Sequence, residues 1–133
     1  MSQENVERVR QAYAAWNRGD LDTALSMMHP DAEWRTSGLF PDSDPVYRGR
    51  PAIRHWFETF REPWERFSAE LVDVIPQGDT VVAEVVFKAA GRESATNVTL
   101  PFAHLFRFKA ALVIEVSAYP SVEEALEAAG LSE

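Results

Sequence analysis

Hydrophobic positions in the first half of the chain recur at spacings of three and four residues, which is the period of an amphipathic helix. The first stripe predicts a helix from about Gln3 to Asn17 and consists of Val6, Val9, Tyr13 and Trp16. Gly19 is placed to end this helix, and Asp20 is placed to cap a short second one. The second helix carries Leu21, Ala24, Leu25 and Met28, and we expect His29-Pro30 to end it.

A short strand over residues 32–36 and a polar loop over residues 37–50 follow, and the loop is rich in Pro, Gly, Ser and Asp. Pro51 suits the first position of a third helix. The buried stripe of that helix is Ile53, Trp56, Phe57 and Phe60, and Pro63 ends it.

The second half of the chain changes to alternating apolar and polar positions, which is typical of strands. Four strands are predicted, at about 67–76, 80–90, 97–109 and 112–119. Ser121 and Glu124 form a capping box that starts a short last helix. Helices followed by a meander of strands predict one α+β domain over residues 1–133, with helices covering one face of a curved, mostly antiparallel sheet.

One strand places a histidine in a row of phenylalanines. In LPFAHLFRF, residues 100–108, His104 shares a face with Phe102, Phe106 and Phe108. A desolvated neutral imidazole is suited to general acid or base chemistry near pH 7. The alternative is a core histidine that is hydrogen-bonded to a backbone carbonyl or a hydroxyl group.

The apolar rows of the last two strands also predict their register, since directly opposed residues share a face. We expect His104 opposite Ala118, Phe106 opposite Val116 and Phe108 opposite Ile114, with Arg107 opposite Glu115 on the other face. This register leaves a three-residue connection, Ala110 to Leu112, and Ala-Ala is in any case a poor sequence for a two-residue turn.

The composition of the chain disfavours two classes of binding partner. The formal net charge is −8 and the 13 basic residues are scattered, which disfavours nucleic acids and anionic membranes. The chain has no cysteine, no long apolar run and no signal-peptide pattern at its N-terminus, so we expect a cytoplasmic protein. His29, His55 and His104 lack metal-ligand spacing, and no glycine-rich phosphate loop is present, so neither a metal nor a cofactor is expected.

Five segments together resemble the SnoaL-like proteins of the nuclear transport factor 2-like superfamily. They are NRGDLD at 17–22, HPDAEW at 29–34, YRGRPAIR at 47–54, AHLFRF at 103–108 and VEEALEAAGL at 122–131. The resemblance implies a cone of helices around a curved sheet, with a pocket at its mouth and homodimers common. It does not define a function, because the superfamily contains isomerases, cyclases, dehydratases, epoxide hydrolases and non-catalytic binding domains.

Comparison with the ketosteroid isomerases of this superfamily argues against steroid isomerisation. Their tyrosine donor corresponds to Ala12, their aspartate base to Thr36 and their protonated aspartate to His104, while Tyr13 lies one residue away and is expected to point elsewhere. The Asp–Arg–Asp arrangement of limonene epoxide hydrolases is also missing, since Arg107 lies on the wrong strand face.

The sequence therefore predicts a protein that binds an apolar small molecule and is a candidate general acid/base enzyme of the isomerase, cyclase or dehydratase type. His104 is the candidate proton-transfer residue, and the candidate pocket-lining residues are Trp16, Trp34, Trp56, Val85, Phe87, Phe106 and Val116. The tryptophans are equally compatible with plain core packing. The alternative function is a non-catalytic ligand-binding or dimerisation domain, and an outer sheet face with Val72, Val74, Val82 and Val86 favours a homodimer.

Overall fold

Three helices precede the β-meander in the computed structural model, which describes residues 2–36, 44–91 and 97–130. The helices are α1 (Ser2–Asn17), α2 (Leu21–Ser26), α3 (Arg50–Arg61) and α4 (Val122–Ala128). The strands are β1 (Met28–Arg35), β2 (Val46–Arg48), β3 (Trp64–Gln77), β4 (Thr80–Gly91), β5 (Asn97–Lys109) and β6 (Leu112–Tyr119).

The six strands form one curved sheet in the order β2-β1-β6-β5-β4-β3. All neighbouring pairs are antiparallel except β1 and β6, which run parallel. Helices α1 to α3 pack on one face of the sheet and α4 packs on the other, so the predicted α+β class is confirmed. Within the described ranges, none of the helices has the length and apolar character needed to cross a bilayer.

Residues of the NRGDLD segment attach the helices to the sheet. The Asn17 side-chain amide donates to the carbonyl oxygen of Ala69 (3.0 Å) and accepts from its N–H (2.8 Å), which fixes the end of α1 against β3. Asp20 caps α2 as predicted, because its carboxylate accepts from the N–H of Thr23. This side chain arrangement positions α1, which carries Tyr13 and Trp16, over the concave face of the sheet.

Strand β1 begins four residues before the predicted start. Helix α2 ends at Ser26, so Met28 and His29-Pro30 belong to the strand and not to the helix. The pairing of β1 with β6 is irregular between Met28 and Glu33. Pro30, which has no N–H to contribute to a ladder, is tolerated in this irregular stretch.

Strand β2 lies inside the segment that was predicted to be a loop. It has only three residues, and it is held by antiparallel pairing with β1, including Glu33 opposite Arg48. The two side chains form an ion pair at 3.0 Å. Pairing with a distant strand, and not local propensity, therefore makes this segment extended.

The β5–β6 register agrees with the prediction at His104–Ala118, Phe106–Val116 and Arg107–Glu115. It differs beyond Arg107, where Phe108 pairs with Val113 and leaves Ile114 as the extra residue of a bulge. Lys109 then pairs with Leu112, so the predicted three-residue connection is wrong and Ala110-Ala111 form a two-residue turn. Both alanines have positive φ, 53° and 72°, as a type I′ turn requires.

The outer face of the sheet is less apolar than predicted. Val82 is buried under α4 in a small cluster with Ala103, Leu105 and Ala125. A bulge between Leu71 and Asp73 changes the phase of β3, so Val74 packs against the main core instead of facing outward. Val72 is 55% exposed, and homodimerisation stays a prediction.

Candidate functional site

An aromatic cavity lies between the concave face of the sheet and helices α1 to α3. The volume open to the centre of a water molecule is about 60 Å³. The lining residues are Ala12, Tyr13, Trp16, Ala24, Met28, Trp34, Trp56, Phe57, Phe60, Ala69, Phe87, Phe102, His104 and Phe106. None of these described residues is charged, so the cavity suits a neutral, mostly apolar guest.

Most of the sequence-predicted site residues meet at this cavity. Its wall includes Trp16, Trp34, Trp56, Phe87, His104 and Phe106. Two predicted residues do not line it: Val85 (0% exposed) and Val116 (1% exposed) are packed inside the core. Larger side chains opposite them, Phe102 beside Val85 and Trp34 beside Val116, extend further from the sheet and form the wall instead.

The aromatic rings of the wall contact one another in a continuous series. The rings of Trp34 and Trp56 have centroids 5.2 Å apart, and Trp56 stacks on Phe60 at 5.1 Å. Trp16 lies 6.4 Å from Phe60, and these two lining residues are half-buried whereas Trp34 and Trp56 are buried. The cavity is therefore nearest to solvent at Trp16 and Phe60.

Tyr13 and His104 form the polar pair of the site. The Tyr13 hydroxyl is hydrogen-bonded to His104 Nδ1, although the residues lie on α1 and β5 and are 91 positions apart. The expectation that Tyr13 points elsewhere is wrong. Tyr13 is on the same helix face as Val9 and Trp16, and that face covers the sheet. The apolar stripe of α1 was the sequence signal that could have identified it.

Both members of the pair are neutral near pH 7. His104 is 5% exposed, and burial lowers the pKa of its imidazole to about 3. Burial also raises the pKa of the Tyr13 phenol well above its ordinary value. Desolvation disfavours the charged form of each group, so it moves the two pKa values in opposite directions.

Two arrangements of protons satisfy the Tyr13–His104 contact. In the first, the hydroxyl donates to Nδ1 and the imidazole proton is on Nε2. In the second, Nδ1–H donates to the hydroxyl oxygen and Nε2 is free to accept. Among the described residues, Nε2 has no hydrogen-bond partner and is buried. It belongs to one of the described lining residues that keep a buried polar atom without a hydrogen-bond partner.

The described residues contain no cluster of three or more His, Cys, Asp or Glu side chains that could hold a metal ion. Thr36, at the position of the isomerase base, is fully buried and donates through its hydroxyl to the carbonyl oxygen of Asp44. Its hydrogen bond therefore stabilises the position of the Asp44 backbone next to the end of β1, and the hydroxyl has a structural role. The polar side-chain groups of the described lining are the Tyr13 hydroxyl, the His104 imidazole and the indole N–H groups of Trp16, Trp34 and Trp56.

Comparisons with known proteins agree with this architecture. No curated protein sequence matches the chain significantly. The structure of Bal32a from a soil-derived mobile gene cassette is similar, with 28% identity and a TM-score of 0.80, and 89% of each chain is covered. TerC, co-crystallised with polyporic acid, is 23% identical with a TM-score of 0.76, and 86% of this chain and 89% of that one are covered.

A putative SnoaL-like polyketide cyclase from Jannaschia sp. CCS1 is 20% identical, with a TM-score of 0.76 over 89% of this chain and 85% of that one. The sequence profile of the SnoaL-like domain matches residues 9–116. This range contains the second half of α1, the whole of α2 and α3 and the first five strands, together with every residue that lines the cavity. The chain belongs to the SnoaL-like domain family and has the nuclear transport factor 2-like fold.

Proposed function

We propose that this protein binds a neutral, mostly apolar small molecule in the aromatic cavity, and that His104 makes the polar contact with it. The observation that carries the proposal is a buried imidazole nitrogen that has no hydrogen-bond partner among the described residues and belongs to a residue lining an uncharged, mostly apolar cavity. Burying an unpaired polar atom is unfavourable, and a ligand atom that pairs with it recovers that free energy.

The size of the cavity limits the guest. A space of about 60 Å³ for water centres corresponds to roughly 200 Å³ when the radius of a water molecule is added on every side of a rounded cavity. A dry cavity of about 150 Å³ in another protein holds one benzene molecule. A compound with one substituted ring therefore matches the space, and larger guests require Trp16 and Phe60 to move.

Structures with the same fold support a small-molecule role. TerC was crystallised with polyporic acid, and a protein from Catenulispora acidiphila with a ketosteroid isomerase-like fold was crystallised with trimethylamine. Each compound is reported for its own protein. Together the two structures support the binding of small organic molecules by this fold, but the residues of each cavity determine which ligand binds.

The proposal is tested by filling the cavity from α1. Ala12 lines the cavity, whereas Ala14 lies on the exposed side of the same helix. Ala12→Leu adds apolar volume to the cavity, and Ala14→Leu adds the same volume in solvent with the same small loss of helix propensity. We expect acetophenone, followed by calorimetry and tryptophan fluorescence, to bind the unmodified protein and Ala14→Leu equally and Ala12→Leu at least about tenfold more weakly.

Thermal unfolding of each variant checks that the fold is intact. The check is needed because overpacking a core lowers the free energy of unfolding by about 1–3 kcal/mol. Equal binding to Ala12→Leu and Ala14→Leu would place the site elsewhere. A complete lack of binding by the unmodified protein, to acetophenone and to other one-ring compounds, would remove the proposal.

Proton transfer is a second candidate function, and the Tyr13–His104 hydrogen bond favours it. With the proton on Nδ1 held by the Tyr13 hydroxyl, Nε2 is free to take a proton from a bound carbon acid. The low pKa of His104 makes the resulting imidazolium unfavourable near pH 7. Ligand binding is therefore the leading proposal, and proton transfer is the second.

The catalytic candidate is tested with the methyl protons of acetophenone in D₂O. Exchange for deuterium in the unmodified protein, and its loss in His104→Gln with binding retained, would support proton transfer. Equal exchange in both proteins would remove that role from His104.

A further inference from the structure

A second buried donor belongs to a residue that lines the same cavity as His104. The Trp34 side chain lines the cavity, and its Nε1 atom is buried without a hydrogen-bond partner among the described residues. An indole N–H can only donate. Trp34 comes from β1 and His104 from β5, and strand β6 between them brings their rings to a centroid distance of 5.1 Å.

One of the two proton arrangements at the Tyr13 contact gives His104 a free N–H next to Trp34. A phenol hydroxyl that donates to Nδ1 leaves the imidazole proton on Nε2, so His104 presents a second N–H. In this arrangement every proton of the Tyr13–His104 pair except the one on Nε2 has an acceptor. Two neighbouring donors then lack an acceptor in a wall that contains no charged residue among those described.

We propose that Trp34 and His104 form a two-donor site for the carbonyl oxygen of a neutral, one-ring aromatic ketone or a related carbonyl compound. This inference rests on the proposed ligand-binding function and specifies its ligand. The carbonyl oxygen has two lone pairs and accepts from both N–H groups, while the ring of the ligand packs against the aromatic wall.

The same geometry excludes two other classes of ligand. A cation would place its charge beside two N–H groups whose positive ends face it, although an aromatic wall by itself attracts cations. An anion would lose its hydration in a cavity where no described lining residue carries a compensating charge. A neutral acceptor meets neither penalty.

The competing explanation for the unpaired donors is contact with aromatic faces. His104 is nearly perpendicular to Phe102 at 4.8 Å, and Trp34 is nearly perpendicular to Phe57 at 5.0 Å. An N–H directed at a ring face is weakly stabilised. If these contacts satisfied both donors, a ligand would gain nothing from a carbonyl group.

Acetophenone and ethylbenzene separate the two explanations, because they share a skeleton and differ by one carbonyl oxygen. We expect calorimetry to show at least about tenfold tighter binding of acetophenone to the unmodified protein, which equals about 1.4 kcal/mol. In ¹⁵N-labelled protein we expect the indole proton of Trp34 to move downfield with acetophenone and to stay nearly unchanged with ethylbenzene.

A matched pair of variants assigns the preference to Trp34. Trp34→Phe keeps an aromatic ring in the wall and removes the donor. Trp64→Phe removes an indole whose Nε1 is also buried and unpartnered within the described part of the chain, but which does not line the cavity. We expect the acetophenone-to-ethylbenzene preference to fall several-fold in Trp34→Phe and to persist in Trp64→Phe.

Each result has one meaning. Equal binding of both compounds, weakened by the Ala12→Leu filling, would overturn the two-donor site and the polar contact of His104, and would leave the binding of an apolar molecule in the cavity standing. Tighter binding of benzyltrimethylammonium than of acetophenone would overturn it in favour of an aromatic cation cage. Binding of none of the three would overturn both proposals.

Discussion

The β5–β6 turn is the clearest place at which the sequence and the backbone conformation disagree. Ala110 and Ala111 have φ values of 53° and 72°, in the left-handed region that L-residues with a Cβ atom avoid. Such a conformation costs roughly 1–2 kcal/mol per residue. Asn-Gly and Asp-Gly are the pairs that suit a type I′ turn.

Replacing the two alanines by Asn-Gly should therefore stabilise the protein. Glycine relieves the strain at position 111 but has a more flexible unfolded state, which offsets about 0.4–1 kcal/mol. Asparagine tolerates the left-handed region at position 110. We expect the double change Ala110→Asn/Ala111→Gly to add about 1–2 kcal/mol, which for a chain of this length raises Tm by roughly 3–8 °C.

Two single changes serve as controls, measured by calorimetry under the same conditions. Gly78→Ala makes the reverse change in the β3–β4 turn, where φ is 56° and no atom lies within 4 Å of the new Cβ. It should cost about 1 kcal/mol through backbone strain alone. Ala14→Gly is the same substitution as Ala111→Gly, but it lies on the exposed face of α1. There it should lower the free energy of unfolding by about 1 kcal/mol, because glycine has a low helix propensity.

The sign of the effect is the decisive result. If Ala111→Gly lowered Tm as Ala14→Gly does, the left-handed conformation of the turn, and the bulge at Ile114 that produces it, would be refuted. If the double change left Tm unchanged while Gly78→Ala lowered it, the strain would not lie at Ala110 and Ala111.

Three further predictions concern the rest of the molecule. The pKa of His104 is about 3 in the folded state, below its unfolded value near 6.5. The contribution of this group to the free energy of unfolding is therefore fully present above pH 6.5 and is lost at lower pH, because the unfolded state takes up a proton. From pH 7 to pH 5 the unmodified protein should lose about 2 kcal/mol more than His104→Gln in urea unfolding. A pH-independent difference between the two proteins would contradict this pKa. Asn17→Ala removes both bonds to Ala69 and should cost about 1–3 kcal/mol in the same assay, whereas Asn97→Ala, at an exposed strand start, should cost little. Light scattering at micromolar concentration should give twice the monomer mass if the predicted homodimer forms, and a monomer mass would refute it.

Much of the fold follows from periodicity. The stripes at three- and four-residue spacing place α1 and α3, and the alternation from Phe67 onward places β3 to β6, because amphipathic elements must bury their apolar sides. Irregularities were harder to predict. Bulges at Val72 and Ile114 depend on the ladder to a neighbouring strand, and strand β2 exists only through its pairing with β1.

The candidate site could be predicted only in part. His104, Trp34 and Phe106 occupy the apolar faces of their elements, so their presence on one wall followed from face and register. The apolar stripe of α1 places Tyr13 on the buried face of that helix, but its contact with His104 also depends on the rotation of α1 over the sheet, which tertiary packing sets. The short Asn-x-Gly-Asp motif assigns the tyrosine position of the ketosteroid isomerases to Ala12, whereas the hydroxyl that contacts His104 belongs to Tyr13.

The position of a bound ligand tests the central claim most directly. Three alanine methyl groups line the cavity, those of Ala12, Ala24 and Ala69, whereas Ala14 and Ala128 are exposed. In protein labelled at its alanine methyl groups, we expect acetophenone at a saturating concentration to give intermolecular NOEs to the three cavity methyl groups. We expect none to the two exposed methyl groups. NOEs to Ala14 or Ala128, or the lack of any to the cavity methyls at saturation, would contradict the assignment of the aromatic cavity as the ligand site.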